Sequence, residues 1–415
     1  MNHIKQVVSR SRSHSPFFPS PYKHPILSSL SINPSLLSQR SYSTNQPTTH
    51  HLNPTMSTVT SQSSYEIPLT QKAWVFEENN GPLQLRTDWP VTQPKDLQPG
   101  QVLVRIAYSG VCHTDLHVWK GDWPSANKLP LVGGHEGAGY VAAIADNTQT
   151  DLKIGDPVGI KWLANSCLSC EECRKGYESV CKRAAVHGFT VDGSFQQWAV
   201  SYAAHVTPIP RNLPLELAAP ICCAGVTVYK ALKMIEGSPG ENVVIPGAGG
   251  GLGHLAVQFA HAMGYKVIGI DSGEEKRKLV KSFGAEVFVD YMKEDVVKSI
   301  VDTTNGGAHA SVCVASGAAA YNQALEYLRP RGVLVAVGLP KDACVQANIF
   351  NSVVNEHRII GSYVGNRQDS VEALDMAARG AVKTHFVVEP IDRLAETFDK
   401  MSNLTLAARV VLDMA

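Results

Sequence analysis

The chain has 415 residues, 44% hydrophobic and 18% charged, so it can bury a large core, and a wholly disordered chain is excluded. Its 37 Lys and Arg balance its 37 Asp and Glu, which excludes a global positive field that would draw the chain to nucleic acid or to an anionic membrane surface. Its apolar stretches, such as 218–226 and 333–339, are much shorter than the roughly 20 residues of a membrane helix, so no membrane insertion is expected.

The first 65 residues have the composition of a mitochondrial transit peptide. They contain no Asp or Glu and many serines, and a membrane potential that is negative inside would draw their positive charges inward. Those charges are on Lys5, Arg10, Arg12, Lys23 and Arg40. We predict a transit peptide over 1–42 that is cleaved after Tyr42, so that Arg40 is the third residue before the cleavage site. A disordered linker is predicted over 43–65. The alternatives are a tail without an address and a cytosolic form that starts at Met56.

From residue 66 the chain alternates short strands with turns. Strands are predicted over 73–76 and 102–108, and a glycine- and valine-rich stretch follows over 133–160. Short strands punctuated by glycine predict a compact, partly barrel-like β domain with few helices. We assign residues 66–223 and 359–415 to this first domain.

The pattern changes near residue 224 to strands that alternate with helices. The predicted strands are 242–246, 267–271, 287–290, 312–315, 333–337 and 359–364, and the helices between them are 252–263, 274–283, 295–303 and 318–328. This alternation predicts an α/β fold with a doubly wound parallel sheet, assigned to 224–358. A helix at 370–379 and a strand at 408–412 are expected to return to the first domain.

A glycine-rich loop lies between the first of these strands and the helix that follows it. Gly247, Gly250 and Gly253 are spaced GxxGxxG, and Gly251 and Leu252 complete the turn. Such a loop lets the backbone approach a pyrophosphate and directs the N–H groups of the helix toward it. We therefore predict a dinucleotide site; the alternative is a sheet of the same kind that binds nothing.

Asp271 ends the next strand, 18 residues after Gly253. A carboxylate there accepts hydrogen bonds from the hydroxyls of the adenosine ribose and repels a 2′-phosphate, so NAD is favoured over NADP. Lys276, one turn into the following helix, is a second candidate contact to that ribose.

Four of the nine cysteines lie on one short polar loop with the spacing C-x2-C-x2-C-x7-C. Four thiolates form a closed tetrahedral zinc site, and a loop with little core of its own gains folding energy from the metal. The alternative, two disulfides, is disfavoured in a reducing compartment. The predicted structural zinc ligands are Cys167, Cys170, Cys173 and Cys181.

A second candidate metal set is dispersed over Cys112, His135 and Cys223. Two cysteines and one histidine that leave one position open are the chemistry of a catalytic zinc. Spacing cannot join residues so far apart, and each of them alone is more often a buried cysteine or a hydrogen-bonded histidine.

Seven segments of the chain match motifs of one known family. They are GVCHTDLHVWKGDWP (110–124), LVGGHEGAGYV (131–141), GIKWLANSCLSCEECRKG (159–176), GSFQQWA (193–199), CCAGVTVYKALK (222–233), GGLGHLAVQFAHAMGYKVIGID (250–271) and IIGSYVGNR (359–367). They resemble the zinc-dependent medium-chain alcohol dehydrogenases, in particular the fungal, yeast-type branch and its mitochondrial members. The resemblance covers about residues 67–415, and the GHExxG motif and the four-cysteine loop are together highly specific.

The resemblance implies a GroES-like catalytic domain beside a Rossmann domain that binds NAD. It places a catalytic zinc on Cys112, His135 and Cys223 and a structural zinc on the four-cysteine loop, so that each chain holds two zinc ions. It also places Thr114 beside the substrate hydroxyl, from which the proton would pass through the nicotinamide ribose to His117 and then to water.

The same family pattern assigns further site residues. Asp115 would hold the liganding histidine, and Glu136 would lie behind the zinc. His113 would lie near the pyrophosphate of the cofactor. The residues that would line the alcohol pocket are Trp123, Trp162 and Leu339.

The implied protein is an NAD-dependent alcohol dehydrogenase, a homotetramer of the mitochondrial matrix. It would interconvert small primary alcohols and aldehydes, above all ethanol and acetaldehyde, by hydride transfer from a zinc-bound alkoxide to NAD+. Two other classes stay open from the residues alone. One is a medium-chain reductase without catalytic zinc, and the other is a dinucleotide-binding structural protein that kept only the four-cysteine zinc.

Three residues depart from the family pattern. Lys120 stands where close yeast relatives carry a histidine, and Leu339 stands where they often carry a methionine. Cys222 doubles the cysteine at the third ligand, which leaves that ligand uncertain by one position.

Overall fold

The structure is a computed structural model, and it describes residues 65–340, 342–403, 405–406 and 408–415. These residues belong to one compact unit. The predicted transit peptide, its processing site and the predicted linker up to residue 64 lie outside the described residues, so they stay predictions.

Short strands make up most of the regular structure in the first half of the described chain. In chain order the strands are β1 (Thr70–Phe76), β2 (Gln84–Pro90), β3 (Gln101–Gly110), β4 (Leu131–Val132), β5 (Glu136–Ile144), β6 (Pro157–Ile160), β7 (Leu163–Asn165), β8 (Ala185–Val186), β9 (Trp198–Tyr202), β10 (Thr207–Pro208), β11 (Asn242–Pro246), β12 (Lys266–Asp271), β13 (Val287–Asp290), β14 (Ala308–Cys313), β15 (Leu328–Ala336), β16 (Arg358–Gly361), β17 (Phe386–Pro390) and β18 (Arg409–Asp413).

Most of the helices lie in the second half. They are α1 (His113–Lys120), α2 (Glu171–Arg174), α3 (Leu215–Pro220), α4 (Val226–Lys233), α5 (Gly253–Ala262), α6 (Glu274–Ser282), α7 (Val296–Thr304), α8 (Ala318–Tyr327), α9 (Ile349–Val354), α10 (Arg367–Ala378) and α11 (Leu394–Ser402). One π-helical turn, Ile221–Gly225, joins α3 to α4.

Six parallel strands form an open sheet in the order β13-β12-β11-β14-β15-β16. The chain starts at the centre with β11, winds to one edge through β12 and β13, and then crosses back to reach the other edge. This confirms the predicted doubly wound sheet. β16 is its last strand, so the sheet continues past residue 358, where the sequence analysis had ended this domain.

Alternate side chains of the central strand β11 explain why helices cover both faces of this sheet. Val243 and Ile245 are fully buried in one core cluster with residues of α5. Val244, between them, points to the other face and packs in a second cluster with Ile300 of α7. Strand side chains alternate between faces, so a strand that is apolar throughout needs a helical layer on each side.

The first domain is built on a seven-stranded sheet whose main path is β10-β6-β5-β3-β18-β17, with β9 also paired to β3. A three-stranded sheet, β2-β1-β4, adds a second layer. β18, near the carboxyl end of the chain, lies between β3 and β17. β18 therefore lies inside a sheet that begins in chain order with β3, and it brings its side chains to the end of β3.

A continuous helical run, Leu215–Lys233, passes from the first sheet to the second. It is 19 residues long and apolar enough to cross a membrane by length and composition, which the sequence analysis did not expect. However, 83% of its most apolar window is buried inside the protein. Its α3 part contacts β3 and β5, and its α4 part contacts α5. Its apolar character is explained by its place in the core.

Candidate active site and metal centres

The four cysteines of the polar loop surround a space that fits a zinc ion. The Sγ of Cys167 lies 3.9 Å from that of Cys173 and 3.6 Å from that of Cys181, and Cys170 and Cys181 are 3.9 Å apart. A tetrahedron of zinc–sulfur bonds of about 2.3 Å has sulfur–sulfur edges of about 3.8 Å. The cysteines are free thiols, so the alternative of two disulfides is wrong for this structure.

Backbone geometry of this loop favours the thiolate form. The N–H of Cys170 donates to the Sγ of Cys167 at 3.3 Å, and that of Arg183 donates to Cys181 at 3.4 Å. Hydrogen bonds from the backbone of Ser169 and Cys170 lower the pKa of Cys167 to about 5. A thiolate is the form that binds a metal.

The dispersed candidates meet in a second, fully buried cluster. The ligand atoms of Cys112, His135, Glu136 and Cys223 all lie within 4.8 Å of one another. Strand pairing explains the meeting, because Gly110 at the end of β3 pairs with Glu136 at the start of β5. Cys112 caps α1 directly after β3.

Cys223 enters this cluster from the π-helical turn, with its Sγ 3.0 Å from Nε2 of His135. Cys222 points elsewhere, since its Sγ lies against Gly159 on β6. The structure thus places Cys223, and not its neighbour, beside the histidine. Among the described residues, this cluster offers two thiols, one imidazole and the carboxylate of Glu136. The two thiols and the imidazole fit a zinc site that keeps one position open.

Asp115 joins two members of this cluster from the first turn of α1. One carboxylate oxygen lies 2.7 Å from Nδ1 of His135, and the other accepts a hydrogen bond of 2.9 Å from the N–H of Cys112. Both side chains are almost completely buried. The contact keeps the proton of His135 on Nδ1 and leaves Nε2 free to bind a metal.

Arg409, which the sequence analysis did not assign, lies behind the cluster. Its guanidinium donates to both carboxylate oxygens of Glu136, and it is buried at the start of β18. It also lies against the glycine loop, because a Cβ on Gly251 would be only 3.1 Å from its Nη1. Burial raises the pKa of Glu136 to about 7, and the charge of Arg409 opposes that shift. An arginine directly before the apolar run VVL at 410–412 was the available signal.

The glycine-rich loop has the form that a pyrophosphate site needs. Gly247 follows β11 with φ +85°, a backbone conformation that other residues rarely adopt. A Cβ on Gly253 would lie 2.0 Å from the carbonyl oxygen of Gly247, so only glycine allows α5 to start so close to the turn. The structure places Gly250, Gly251 and Leu252 between them, ahead of α5.

Asp271 lies at the end of β12 and faces this loop. Its carboxylate accepts hydrogen bonds from the N–H of Gly249 at 2.9 Å and from Nζ of Lys276 at 2.7 Å. Both predicted ribose contacts are therefore at one edge of the loop. Asp271 is buried, and Lys276 is half exposed.

Thr114 and His117, the residues predicted to move the proton, lie on α1, as does His113, which was predicted to lie near the pyrophosphate. His113 and Thr114 form its first turn, next to Cys112, with His113 exposed and Thr114 half-buried. His117 is one turn further, and its Nδ1 lies 2.8 Å from the carboxylate of Asp122. The helix thus carries side chains from the metal cluster toward the surface.

Aromatic rings cover the open side of the metal cluster. The ring of Trp162 is 5.1 Å from that of His135 and 5.8 Å, edge-on, from that of Trp123. Phe189 packs against both tryptophans, and the hydroxyl of Tyr363 accepts a hydrogen bond of 2.5 Å from Nε1 of Trp162. Phe189 and Tyr363 were not predicted as site residues, although Tyr363 lies in one of the quoted motifs.

Leu339 does not join this aromatic group. It follows β15, it is 64% exposed, and it is absent from the described hydrophobic residues that pack around Trp162. The predicted role of Leu339 in lining the alcohol pocket therefore has no support from its contacts within this chain. Lys120 does not join the aromatic group either, because its ammonium donates to the hydroxyl of Ser402.

Comparison with known proteins decides the family. Residues 98–211 match the alcohol dehydrogenase GroES-like domain, and residues 251–379 match the zinc-binding dehydrogenase domain. An alcohol dehydrogenase of Schizosaccharomyces pombe is 48% identical over 351 residues, which are 84% of this chain and 99% of that protein. The chain belongs to the zinc-dependent medium-chain alcohol dehydrogenases.

Solved structures of this alcohol dehydrogenase family share the fold. An alcohol dehydrogenase from the hyperthermophilic archaeon Aeropyrum pernix has a TM-score of 0.74 at 31% identity, covering 82% of this chain and 99% of that one. An acetophenone reductase from Geotrichum candidum, solved in complex with NAD, has a TM-score of 0.73 at 28% identity, covering 84% and 98%. The zinc-dependent architecture and the dinucleotide fold predicted from the sequence are therefore those of its family.

Proposed function

We propose that this protein is an NAD-dependent zinc alcohol dehydrogenase that interconverts small primary alcohols and aldehydes, with ethanol and acetaldehyde the preferred pair. The observation that carries the proposal is the buried set of Cys112, His135 and Cys223 beneath two tryptophans. Its second support is the glycine loop joined to that set by Arg409. A reductase without catalytic zinc would have no use for the three ligands, and a structural protein would have no use for Thr114 and His117.

Each resident group would be held by residues already in place. Cys112, His135 and Cys223 would hold one zinc ion, and the four-cysteine loop would hold the second. Bound there, the catalytic zinc would supply Lewis-acid polarisation of the substrate oxygen, and NAD would supply the hydride acceptor.

The chain itself would manage the proton, the orientation of the substrate and the exclusion of water. Thr114 lies in the first turn of α1, where its hydroxyl accepts the proton of the alcohol hydroxyl and passes it outward. His117, whose side chain is 37% exposed, takes up that proton at its imidazole and releases it to water. Trp162 and Phe189 cover the cluster and keep bulk water from it.

The two tryptophans support the preference for a short chain. Two indoles 5.8 Å apart beside His135 leave room for a small unbranched alcohol and crowd a ring or a branch. The carboxylate of Asp271 supports the preference for NAD, because it would repel the 2′-phosphate of NADP.

One kinetic experiment tests this function. The purified protein is incubated with NAD+ or NADP+ and a series from ethanol to butanol, with a branched alcohol, cyclohexanol and benzyl alcohol, and reduced cofactor is followed by absorbance. We expect ethanol with NAD+ to give the highest kcat/KM, and metal analysis to find two zinc ions per chain. The proposal fails if no alcohol is oxidised, if cyclohexanol or benzyl alcohol is preferred, or if NADP+ is used as well as NAD+.

The proposed site of action is the mitochondrial matrix, supported by the basic, acid-free segment 1–42. The N-terminus of protein isolated from purified mitochondria decides this. We expect it at Ser43 or within a residue or two of it. An N-terminus at Met1 contradicts the targeting, and one near Met56 favours a cytosolic form.

A further inference from the structure

The end of α1 folds back on itself around His117. Gly121 adopts φ +69°, and its N–H donates to the carbonyl of Val118. Asp122 then donates from its N–H to the carbonyl of His117 at 3.1 Å, while its carboxylate lies 2.8 Å from Nδ1 of the same residue. Asp122 is thus bonded to His117 twice, through the backbone and through the side chain.

Side chains from neighbouring segments also restrain this turn. A Cβ on Gly121 would lie 2.6 Å from the side-chain amide of Asn79, so a residue other than glycine would have to displace that contact. Trp123, directly after Asp122, stacks on the imidazole of His117 with ring centroids 6.4 Å apart and planes 28° apart. The ring of His117 is therefore hydrogen-bonded at one edge to a carboxylate and lies beside a roughly parallel indole.

A carboxylate on Nδ1 has a defined chemical effect on a neutral imidazole. It accepts the Nδ1–H and so leaves the lone pair on Nε2. Among the described residues, His117 is the one hydrogen-bond or ion-pair partner of the Asp122 carboxylate. The nearby Lys120 does not compete for it, because its ammonium donates to Ser402.

We propose that Asp122 is a positioning residue for proton transfer: it holds His117 with the proton on Nδ1 and with Nε2 directed to receive the proton of the substrate hydroxyl. The inference rests on the proposed function, in which His117 passes that proton to water. The balance is simple. The substrate O–H proton arrives at Nε2 and leaves Nε2 to solvent, while the Nδ1–H stays with Asp122 throughout.

The alternative is an ordinary pair on the surface, which would contribute little to stability and nothing to catalysis. A double-mutant cycle separates the two. The variants are Asp122→Asn, His117→Gln and the double variant, each checked for folding by thermal unfolding, with Asp88→Asn as control. Asp88 is an exposed acid paired with Arg86, which is outside the site.

We expect Asp122→Asn to lower kcat/KM for ethanol roughly five- to tenfold, less than the ~10²–10⁴ of a complete general acid–base group. His117→Gln should lose more, and the double variant should match His117→Gln, because Asp122 acts through the ring. Asp88→Asn should match the wild type. A wild-type rate in Asp122→Asn, or losses that multiply in the double variant, overturns the inference.

A spectroscopic measurement tests the same idea without turnover. Imidazole nitrogen NMR shifts of selectively labelled histidine should show His117 as the Nδ1–H tautomer in the wild type and as a mixture in Asp122→Asn. The same tautomer population in both proteins overturns the inference. A wild-type protein that oxidises no alcohol at all would instead overturn the proposed function, and the NMR result would still decide the role of Asp122.

Discussion

Two adjacent cysteines on one helical turn have different surroundings. The thiol of Cys223 lies 3.0 Å from His135 in the metal cluster, whereas that of Cys222 is buried against Gly159, where burial raises its pKa to about 12. Only the first thiol lies among other side chains that can bind a metal, Cys112 and His135, whereas Cys222 lies outside that group. The directions of the two side chains therefore favour Cys223 as the ligand that spacing left uncertain by one residue.

We therefore expect Cys223→Ser to abolish alcohol oxidation, by at least ~10³-fold, and to lower the zinc content from two to one per chain. Cys222→Ala should keep both zinc ions and activity within roughly threefold of the wild type, since a small cavity is its main effect. Metal analysis and initial rates on both variants measure this. Loss of zinc in Cys222→Ala with activity retained in Cys223→Ser would move the ligand by one position.

Trp162 covers His135 and is tied to Tyr363, so its indole forms the wall nearest the metal cluster. Trp162→Ala should open that wall and raise kcat/KM for butanol relative to ethanol by roughly tenfold, within the ~1–3 kcal/mol that a hydrophobic pocket discriminates. Rates along the alcohol series measure the ratio. Trp119→Ala, on the same helix as His117 but bonded to Gly81, is the control and should leave the ratio unchanged. If Trp162→Ala leaves the butanol-to-ethanol ratio of kcat/KM unchanged, Trp162 is an ordinary core residue and not a wall of the pocket.

Residues that act within one motif were easier to predict than residues that meet from distant segments. The spacing of the four cysteines in the loop is enough to predict their metal site. Arg409, Phe189 and Tyr363 do not, because each reaches the site only through strand pairing or a crossing between domains. Leu339 shows the reverse case, a residue carried over from a family pattern that the chain leaves exposed.

Strands and helices with a clear local pattern were likewise easier to predict than those without one. The strands and helices of the doubly wound sheet were predicted because each is long enough to show its period and is bounded by glycine, as at β12 and α6. β14 starts at Ala308, before the predicted 312, since its first residues alternate polar and apolar. The strands β4, β7, β8 and β10 were missed because two or three residues carry no period.

The four-cysteine loop, which we propose to hold the structural zinc, also supports its neighbours. Buried Glu178 in this loop accepts hydrogen bonds from the N–H and Nε of Arg367, at the start of α10. The loop has little core of its own, because α2 is one turn long. Loss of the zinc would therefore loosen the loop and its contact with α10 together.

Cys170→Ser should lower the Tm by roughly 5 °C, since each kcal/mol is worth only about 1–2 °C in a protein of this size. Cys344→Ser is the control, because that thiol is exposed and outside both clusters. Differential scanning calorimetry at fixed zinc concentration gives both values. Equal Tm for Cys170→Ser and the wild type would show that the loop folds without a complete ligand set.

Helix α5 contains a histidine that folding keeps neutral. His254 is 3% exposed; its Nδ1 donates to the carbonyl of Gly250, and its Nε2 accepts from the N–H of His385. Burial lowers its pKa to about 4. The unfolded chain binds a proton near pH 6.5, so this contribution is fully present above that pH and is lost as the pH falls toward 4.

Between pH 7 and pH 5 the loss from His254 amounts to about 2 kcal/mol, or roughly 2–4 °C in Tm for a protein of this size. We expect His254→Gln to show a smaller fall of Tm over that range than the wild type, although its Tm at pH 7 is lower. The buried His187 and His205 remain in both proteins, so the difference isolates one residue. Parallel Tm–pH curves for the two proteins would contradict this assignment.

At the scale of the whole molecule, one face is unusually apolar. β16 is an edge strand of the parallel sheet, and the helix before it exposes Ile349 by 80%, Phe350 by 74% and Val353 by 69%. An open strand edge beside an exposed apolar helix is a surface that soluble proteins cover. We propose that a second copy of the chain covers it, as part of the predicted homotetramer.

Phe350→Asp should place a charge in that contact and shift the protein to smaller assemblies at micromolar concentration. Light scattering after size exclusion measures the mass directly. Met292→Asp is the matched control, since Met292 is 72% exposed but follows β13 at the opposite edge of the sheet. The face is not an interface if Phe350→Asp keeps the mass of the wild type, or if both variants dissociate alike.

The π-helical turn within Leu215–Lys233 constrains which changes of length this chain accepts. A π-turn holds one residue more than an α-helical turn, and it lies between α3, packed on β3 and β5, and α4, packed on α5. Because five residues in a π-turn cover about the same rotation as four in an α-helix, removing one residue from Ile221–Gly225 would leave α3 and α4 almost in place but would shift the side chains within the turn. A one-residue gap would therefore turn Cys223 away from His135 while both packed halves stayed in register, so relatives that hold a metal at this cluster should keep the wide turn.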